Sequence, residues 1–387
     1  MLFRSGISSA PPRRRQSTLH QTWRGESIGA YVEELTKSLQ THPLVTVHRS
    51  STLSRVDGFV GNFKTTIQNG SASEVIEHGV AVIATGGSEW QPDEYLFGQD
   101  PRVLTHQDLD RRFMENDPSL GSLHRAVFIQ CVGSREPQRP YCSRVCCTHT
   151  LQSALHLKTL NPDCEVFVLY RDLRSYGERE TLYLEARRRG VVFVRYDLDS
   201  KPAAAIRDGG LTVTVHDVIL QRPIEIEADL LVLASAIVPT PVEALAQAFK
   251  VSVNEDGFFL EAHVKLRPVD FATDGVFLCG LAHYPKSIDE SIAQAQAAAS
   301  RAATILARET IHFPGTVAVA SPTLCSGCGT CVAICPYSAP RFNDKGKAEI
   351  NSALCKGCGL CSASCRSGAI RLQGFDDAQI FAMIDHL

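Results

Sequence analysis

Cys325-Ser326-Gly327-Cys328-Gly329-Thr330-Cys331-Val332-Ala333-Ile334-Cys335-Pro336 sets four cysteines in the spacing C-x-x-C-x-x-C-x-x-x-C, and Cys355, Cys358, Cys361 and Cys365, followed by Arg366, repeat it. Three thiolates on one tight loop fit three corners of a four-iron cubane, while the fourth cysteine of each run ligates the other cluster in two-cluster ferredoxins. The expected ligand sets are therefore crossed. Cys325, Cys328, Cys331 and Cys365 would hold one [4Fe–4S] cluster, and Cys355, Cys358, Cys361 and Cys335 the other. Gly327, Gly329, Gly357 and Gly359 leave room for the clusters and free backbone N–H groups toward their sulfurs. Arg366, where the first repeat has Pro336, adds positive charge that would raise one cluster's potential. Zinc typically pairs two short C-x-x-C knuckles across a longer spacer, not four cysteines in one short run, so a zinc centre does not suit this spacing.

Outward from this α+β ferredoxin module, 387 residues are enough for two or three domains, each with a sizeable core. The net charge of −3 and 44% hydrophobic content describe an ordinary globular chain without a nucleic-acid footprint. Of 14 cysteines, twelve are grouped, as metal sites require. A disulfide framework suits short secreted chains, and Met1 to Thr18 contains no apolar signal segment. Runs such as Val80 to Ala84 and Leu230 to Ala234 have strand length, far from the ~20 residues of a membrane span. A cytoplasmic location is expected.

The expected organisation is a disordered leader over residues 1–27, a partial FAD-binding lobe over 28–120 and a second α/β lobe over 121–240. The chain would then return to the FAD lobe over 241–312, with the ferredoxin domain over 313–387 after a linker marked by Pro314. Periodicity predicts helices at Tyr31–Leu39, Thr148–Leu160, Glu178–Arg189 and Ser287–Arg308. It predicts strands at Val45–His48, Val80–Ala84, Ala126–Gln130, Val166–Tyr170, Val191–Arg195, Thr212–Val215, Ile224–Ala234 and Gly275–Gly280. This alternation points to parallel α/β architecture.

Cys131, Cys142, Cys146 and Cys147 fall at the turn after a buried strand, where an α/β fold places its ligand. Three readings stay open from spacing alone: a third cluster, a redox-active dithiol, or unrelated buried cysteines. The strand end reads Cys131-Val132-Gly133-Ser134-Arg135 and lacks G-x-G-x-x-G, so NAD is not expected there. Thr85, Gly86 and Gly87 after one strand, and Gly280 after another, look like the inner segments of a two-dinucleotide-binding-domain flavoprotein. Ser287-Ile288-Asp289-Glu290 forms a capping box that fixes a helix start, offering N–H groups and positive dipole to a flavin. Lys286 just ahead of it would add a full charge. Thr85, Gly86, Gly280, Lys286, Ser287 and Ile288 are the candidate FAD contacts. Cys164 and Cys279 read as buried free thiols, and His48, His149 and His283 as ordinary residues.

Phe128 to Arg135, Tyr141-Cys142-Ser143-Arg144-Val145-Cys146-Cys147 and Tyr284-Pro285-Lys286-Ser287-Ile288, with the two ferredoxin runs, resemble the A subunits of CoB–CoM heterodisulfide reductase and their bacterial relatives. The resemblance covers roughly Ile28 to Leu387. It implies a thioredoxin-reductase-like flavoprotein in which Cys131, Cys142, Cys146 and Cys147 hold a cluster beside FAD. It further implies an oxidoreductase subunit, not active alone, that relays electrons between FAD and clusters to partner subunits, with a hydrogenase or dehydrogenase as donor and electron bifurcation as a further expectation. Family members open with a strand and G-x-G-x-x-G, and none precedes Ile28, so an incomplete FAD lobe and an N-terminally truncated chain are expected. A flavin-free electron wire completed by a separate FAD-binding chain is the alternative. A ferredoxin-fused NADPH oxidoreductase of the glutamate-synthase small-chain type is disfavoured by the same missing fingerprint.

Overall fold

Ala126-Val127-Phe128-Ile129-Gln130-Cys131-Val132 is buried at every position, as an unbroken apolar run demands when both faces of a strand are covered. In the computed structural model, which describes residues 2–3, 20–311, 316–352 and 354–386, Arg125–Val132 is the middle strand of a five-stranded sheet. The order is Val192–Arg195, Glu165–Tyr170, Arg125–Val132, Leu230–Ser235 and Val103–Thr105, and every neighbouring pair is parallel. Ala126 and Phe128 pack with Leu151, Ala154 and Leu157 of the helix Cys146–Leu160. Val127 and Ile129 face the other way, onto Leu211, Val213 and Ile226 of an antiparallel meander, Ala203–Arg207, Gly210–Asp217 and Arg222–Ala228. Alternate residues of one strand thus feed two cores, each side chain contributing roughly 1.5–3 kcal/mol when fully buried.

The expected single strand Ile224–Ala234 is two. Arg222–Ala228 belongs to the meander and Leu230–Ser235 to the parallel sheet. Asp229 makes the switch: its carboxylate accepts the N–H groups of His124 and Arg125 at 2.7 and 2.9 Å, pinning the chain where it changes sheets.

A second α/β unit has the parallel sheet Leu2–Phe3, Ala81–Ile83 and Val276–Leu278. Beside it lies the meander Thr52–Asp57, Phe63–Asn69 and Ala72–His78. Val60, Phe63, Ile83, Phe249, Phe259, Phe271 and Leu278 share its core. Gly87–Glu89 pairs antiparallel with Ile237–Pro239, stitching this unit to the first. The first helix runs Ile28–Thr41 and the long one Ile288–Leu306. Helices at Cys146–Leu160 and Glu180–Arg188 match the remaining helical expectations within two residues at each end.

Val45–His48 is not a strand. Leu44, Val45 and Val47 are exposed, and among the described residues no strand pairs with them, so the apolar alternation there has no ladder to join; the strand begins instead at Thr52. The expected leader also changes. Leu2–Phe3 pairs with Val82–Ile83, and residues 20–27 lie against the second lobe, with His20 N donating to Asp110 and Gln152 donating to the Thr22 carbonyl. Residues 1 and 4–19, and the Pro314 linker, lie outside the described residues.

The C-terminal domain pairs Ala318–Ala320 with Ile370–Leu372 and Pro340–Phe342 with Ala348–Ile350, both antiparallel. Short helices start at Thr330 and Leu360, each opened by a glycine in the left-handed region, Gly329 at φ 80° and Gly359 at φ 76°. Among the described residues no helix is long and apolar enough to cross a membrane.

Candidate cluster and flavin sites

Because the two short strand pairs fold back on one another, each cysteine run meets the tail of the other. One cavity is lined by Cys325, Cys328, Cys331 and Cys365. Its counterpart is lined by Cys355, Cys358, Cys361 and Cys335. The grouping is also electrostatic: burial first, and then the charges of Cys355, Cys335 and Cys358, push the Cys361 thiol up. Burial likewise raises Cys331, with Cys325 and Cys328 adding to it. Exposed Cys328 is instead pulled down to about 7, with the Thr330 hydroxyl the largest cause. Backbone donors already point at the sulfurs, Ala348 N to Cys325 and Ala318 N to Cys355, both at 3.3 Å. Thiolate ligands, small neighbours and N–H donors make a donor set suited to a cubane.

The middle cysteines also converge. Cys131 is the last residue but one of the central strand, and Cys146 and Cys147 open the helix that follows. Cys146 is raised by burial and then by the charges of Cys147, Cys131 and Cys142; Cys147 is pushed up to about 12, again by burial first and with Cys131 and Cys142 contributing. A redox dithiol needs a depressed pKa, and these two thiols move the other way. Ligation of a metal would likewise require both thiols to give up their protons. Among the described residues no group of three or more His, Cys, Asp or Glu side chains is placed to hold a single metal ion. All 14 cysteines are free.

The connecting loop holds Cys131, Arg135 and Arg144 at φ 62°, 57° and 61°, conformations that cost non-glycine residues energy and persist only when neighbours impose them. Here Arg171 donates to the carbonyls of Ser134 and Arg135 at 2.7 and 2.8 Å. Ser143 Oγ accepts from Ile237 N at 2.9 Å, and Tyr141 donates to the Ile237 carbonyl at 3.0 Å. Gly133, at φ 69°, passes Trp90 so closely that an added Cβ would meet Cδ1 at 2.8 Å.

Arg144 reaches out of this loop toward the segments expected to meet a flavin. It donates to the Pro285 carbonyl at 3.3 Å and pairs with Glu290 at 2.6 Å. Glu290 closes the capping box, accepting from Ser287 N at 3.0 Å. Lys286 is buried, with its ammonium donated to the carbonyls of Gly280 and Tyr284 at 2.8 Å each. Burial first and then Arg144 lower it to about 8. Gly280, at φ 71°, and Gly86, at φ 78°, both border open space. These segments fit the ring end of a flavin: two glycines without side chains to intrude, a helix N-terminus and a nearby cation. For the pyrophosphate end the sequence offers no G-x-G-x-x-G, so the fit is to half of the cofactor.

Sequence reasoning passed over Arg144, Arg171 and Glu89. Glu89 follows Thr85-Gly86-Gly87, and its Oε2 is buried without a hydrogen-bond partner. Its pKa is pushed up to about 7, by burial above all. His149 is also more than packing: it bonds Asp110 at 3.0 Å and stacks on His106 at 4.2 Å. Only the position of Arg144 between Cys142 and Cys146 could have singled it out, since the others depend on contacts across the chain.

Residues 324–369 match the 4Fe-4S dicluster domain family. The crystal structure of Lactococcus lactis thioredoxin reductase superposes with a TM-score of 0.50 at 13% identity, covering 79% of this chain and 90% of that one. The molecule is thus a thioredoxin-reductase-like two-lobe fold joined to a dicluster ferredoxin domain. Over 329 residues it is 40% identical to the A subunit of the H(2):CoB-CoM heterodisulfide,ferredoxin reductase of Methanothermobacter marburgensis, covering 80% of this chain and 49% of that one. With the iron-sulfur A subunit of the CoB--CoM heterodisulfide reductase of Methanocaldococcus jannaschii the identity is 38% over 330 residues, covering 79% and 50%. The chain is similar to heterodisulfide reductase A subunits over most of its own length and spans about half the length of these curated relatives.

Proposed function

We propose that this chain is an oxidoreductase subunit that carries electrons between a flavin-side centre and partner subunits of a heterodisulfide reductase-type complex. The reading rests above all on the two cavities with crossed cysteine sets, a geometry whose chemistry is electron storage in cubanes. Cys131, Cys142, Cys146 and Cys147 would ligate a third cluster, and Thr85, Gly86, Gly280, Ser287 and Ile288 would hold the ring end of FAD. Bound there, FAD would supply two-electron chemistry that the clusters divide into single electrons. Arg144 ties the cysteine loop to the helix at Ser287 and keeps the two sites in fixed register. Lys286 holds the Gly280 turn through its carbonyl bonds and places positive charge behind it. The relatives' names include a hydrogen-linked reductase; here a hydrogenase or dehydrogenase donor, and bifurcation of electrons, are extensions of the proposal.

A flavin-free wire, completed by a separate FAD-binding chain, is the second reading. Anaerobic purification with iron, acid-labile sulfide and flavin analysis separates them. About twelve iron with stoichiometric FAD supports the full relay, and about twelve without flavin supports the wire. About eight iron removes the third cluster, and fewer removes the function.

A further inference from the structure

The ferredoxin domain repeats itself, but its two cavities differ in the side chains around them. The pseudo-two-fold that exchanges Cys325 with Cys355 also exchanges Ala348 with Ala318, and their N–H groups reach the two sulfurs at the same 3.3 Å. That backbone donor is therefore matched, and Gly327 N adds a second at Cys325 Sγ, at 3.4 Å. At the first cavity Thr330 Oγ1 lies 3.5 Å from Cys328 Sγ, Ser367 Oγ lies 3.6 Å from Cys365 Sγ, and Lys347 Nζ donates to the Cys325 carbonyl at 2.6 Å. The related positions at the second cavity are Leu360, Tyr337 and Val317, which bring neither an aliphatic hydroxyl nor a charge. Lys356, beside Cys355, pairs with Asp274 of the second α/β unit. Arg366 follows Cys365 of the first set.

These differences bear on reduction potential, because the reduced cluster carries one more negative charge and donors to its thiolates or nearby cations favour it. The two hydroxyls at the first cavity act in that direction, and Lys347 adds a charge at the Cys325 carbonyl, while Lys356, which lines the second cavity, has its charge paired with Asp274.

The two cavities also differ in position. Tyr337 and Lys356 line the second one and, on their other side, a cavity formed with Val56, Phe63 and Phe249 of the second α/β unit. The first is lined by residues between Cys325 and Ile370 alone. We propose that Thr330, Ser367 and Lys347 make the outer cluster, held by Cys325, Cys328, Cys331 and Cys365, the higher-potential member of the pair, so that an electron leaving the lobes comes to rest there. The step is a single electron transfer in which the lobe-facing cluster is oxidised and the outer one reduced; no bond changes and no proton is required. This rests on the cluster assignment above.

The test is a dithionite titration of the anaerobically purified full chain, followed by electron paramagnetic resonance at controlled potential. The two midpoints of the ferredoxin pair, recognised among those of the full chain by their separate loss in Cys365→Ser and Cys335→Ser, should differ by at least tenfold in favour of the outer cluster, which for one electron is about 59 mV. Thr330→Val with Ser367→Ala, and separately Lys347→Met, should lower the upper midpoint and leave the lower one in place. Leu360→Thr should raise the lower midpoint, a gain that no unfolding can mimic. A single shared midpoint, or variants that move the lower signal instead of the upper, would overturn the ordering. Iron below about eight per chain would instead refute the cluster assignment, so the two failures are distinguishable.

Discussion

Replacing Glu89 with glutamine should stabilise the protein, and more so at higher pH. Glu89 lies on the strand that stitches the two lobes together, one carboxylate oxygen buried without a partner. Its pKa rises from the ordinary 4.5 to about 7, because burial outweighs the hydrogen bonds from Thr105 and Gln107 and the charge of His149. Between those two values the folded chain holds a proton that the unfolded chain releases, so stability falls as pH rises through that window and stays reduced above it. At 1.36 kcal/mol per pH unit, the full cost approaches about 3 kcal/mol. Glutamine keeps the shape and removes the titration. Its gain over the wild type at pH 8 should exceed its gain at pH 5 by about 2 kcal/mol. His149 is present in both proteins, and since Glu89 contributes to raising it, the difference reads the Glu89 charge together with its pull on His149. Anaerobic urea denaturation followed by the fluorescence of Trp90 and Trp23 measures both gains, with an unchanged slope as the check on two-state behaviour. An equal gain at the two pH values would show that Glu89 is ionised in the folded protein and that the burial argument is wrong.

Cys335→Ser should remove the iron held with Cys355, Cys358 and Cys361, leaving the cluster of Cys325, Cys328 and Cys331 intact. Loss of the latter signal instead, read by magnetic resonance, would mean that each run ligates its own cluster. In the iron-free chain, iodoacetamide at pH 7.5 should modify exposed Cys328 early, since its thiol titrates near 7, and spare Cys147, whose thiol titrates near 12. Peptide mapping by mass spectrometry reads the order, and comparable rates at both sites would contradict the assigned environments.

The grouping of the ferredoxin cysteines was legible because it is written in local spacing. C-x-x-C-x-x-C brings three thiols together on one loop whatever the surrounding fold, and the crossed fourth ligand follows from the repeat. The strand Arg125–Val132 was equally plain, since an unbroken apolar run of that length has few other uses. The capping box at Ser287 and Glu290 is a short-range hydrogen-bond pattern and needs only adjacent residues. Local periodicity failed where a distant partner decides the outcome: Val45–His48 has the composition of a strand but no described strand to pair with.

Tertiary structure decided the rest. The break at Asp229 depends on N–H groups of His124 and Arg125, far away in sequence. The left-handed backbone at Cys131 and Arg144 is held by Arg171, Ser143 and Tyr141 acting on the loop or on the neighbouring strand. The raised pKa of Glu89, the bridge from Arg144 to Glu290 and the unequal surroundings of the two cluster cavities likewise come from side chains that meet only when the sheets are assembled. The sequence by itself determined which thiols can ligate iron, because that chemistry is set within a dozen residues. Only the folded chain decided how those cysteines are buried and what charges surround them, because burial and electrostatics sum over every neighbour in space.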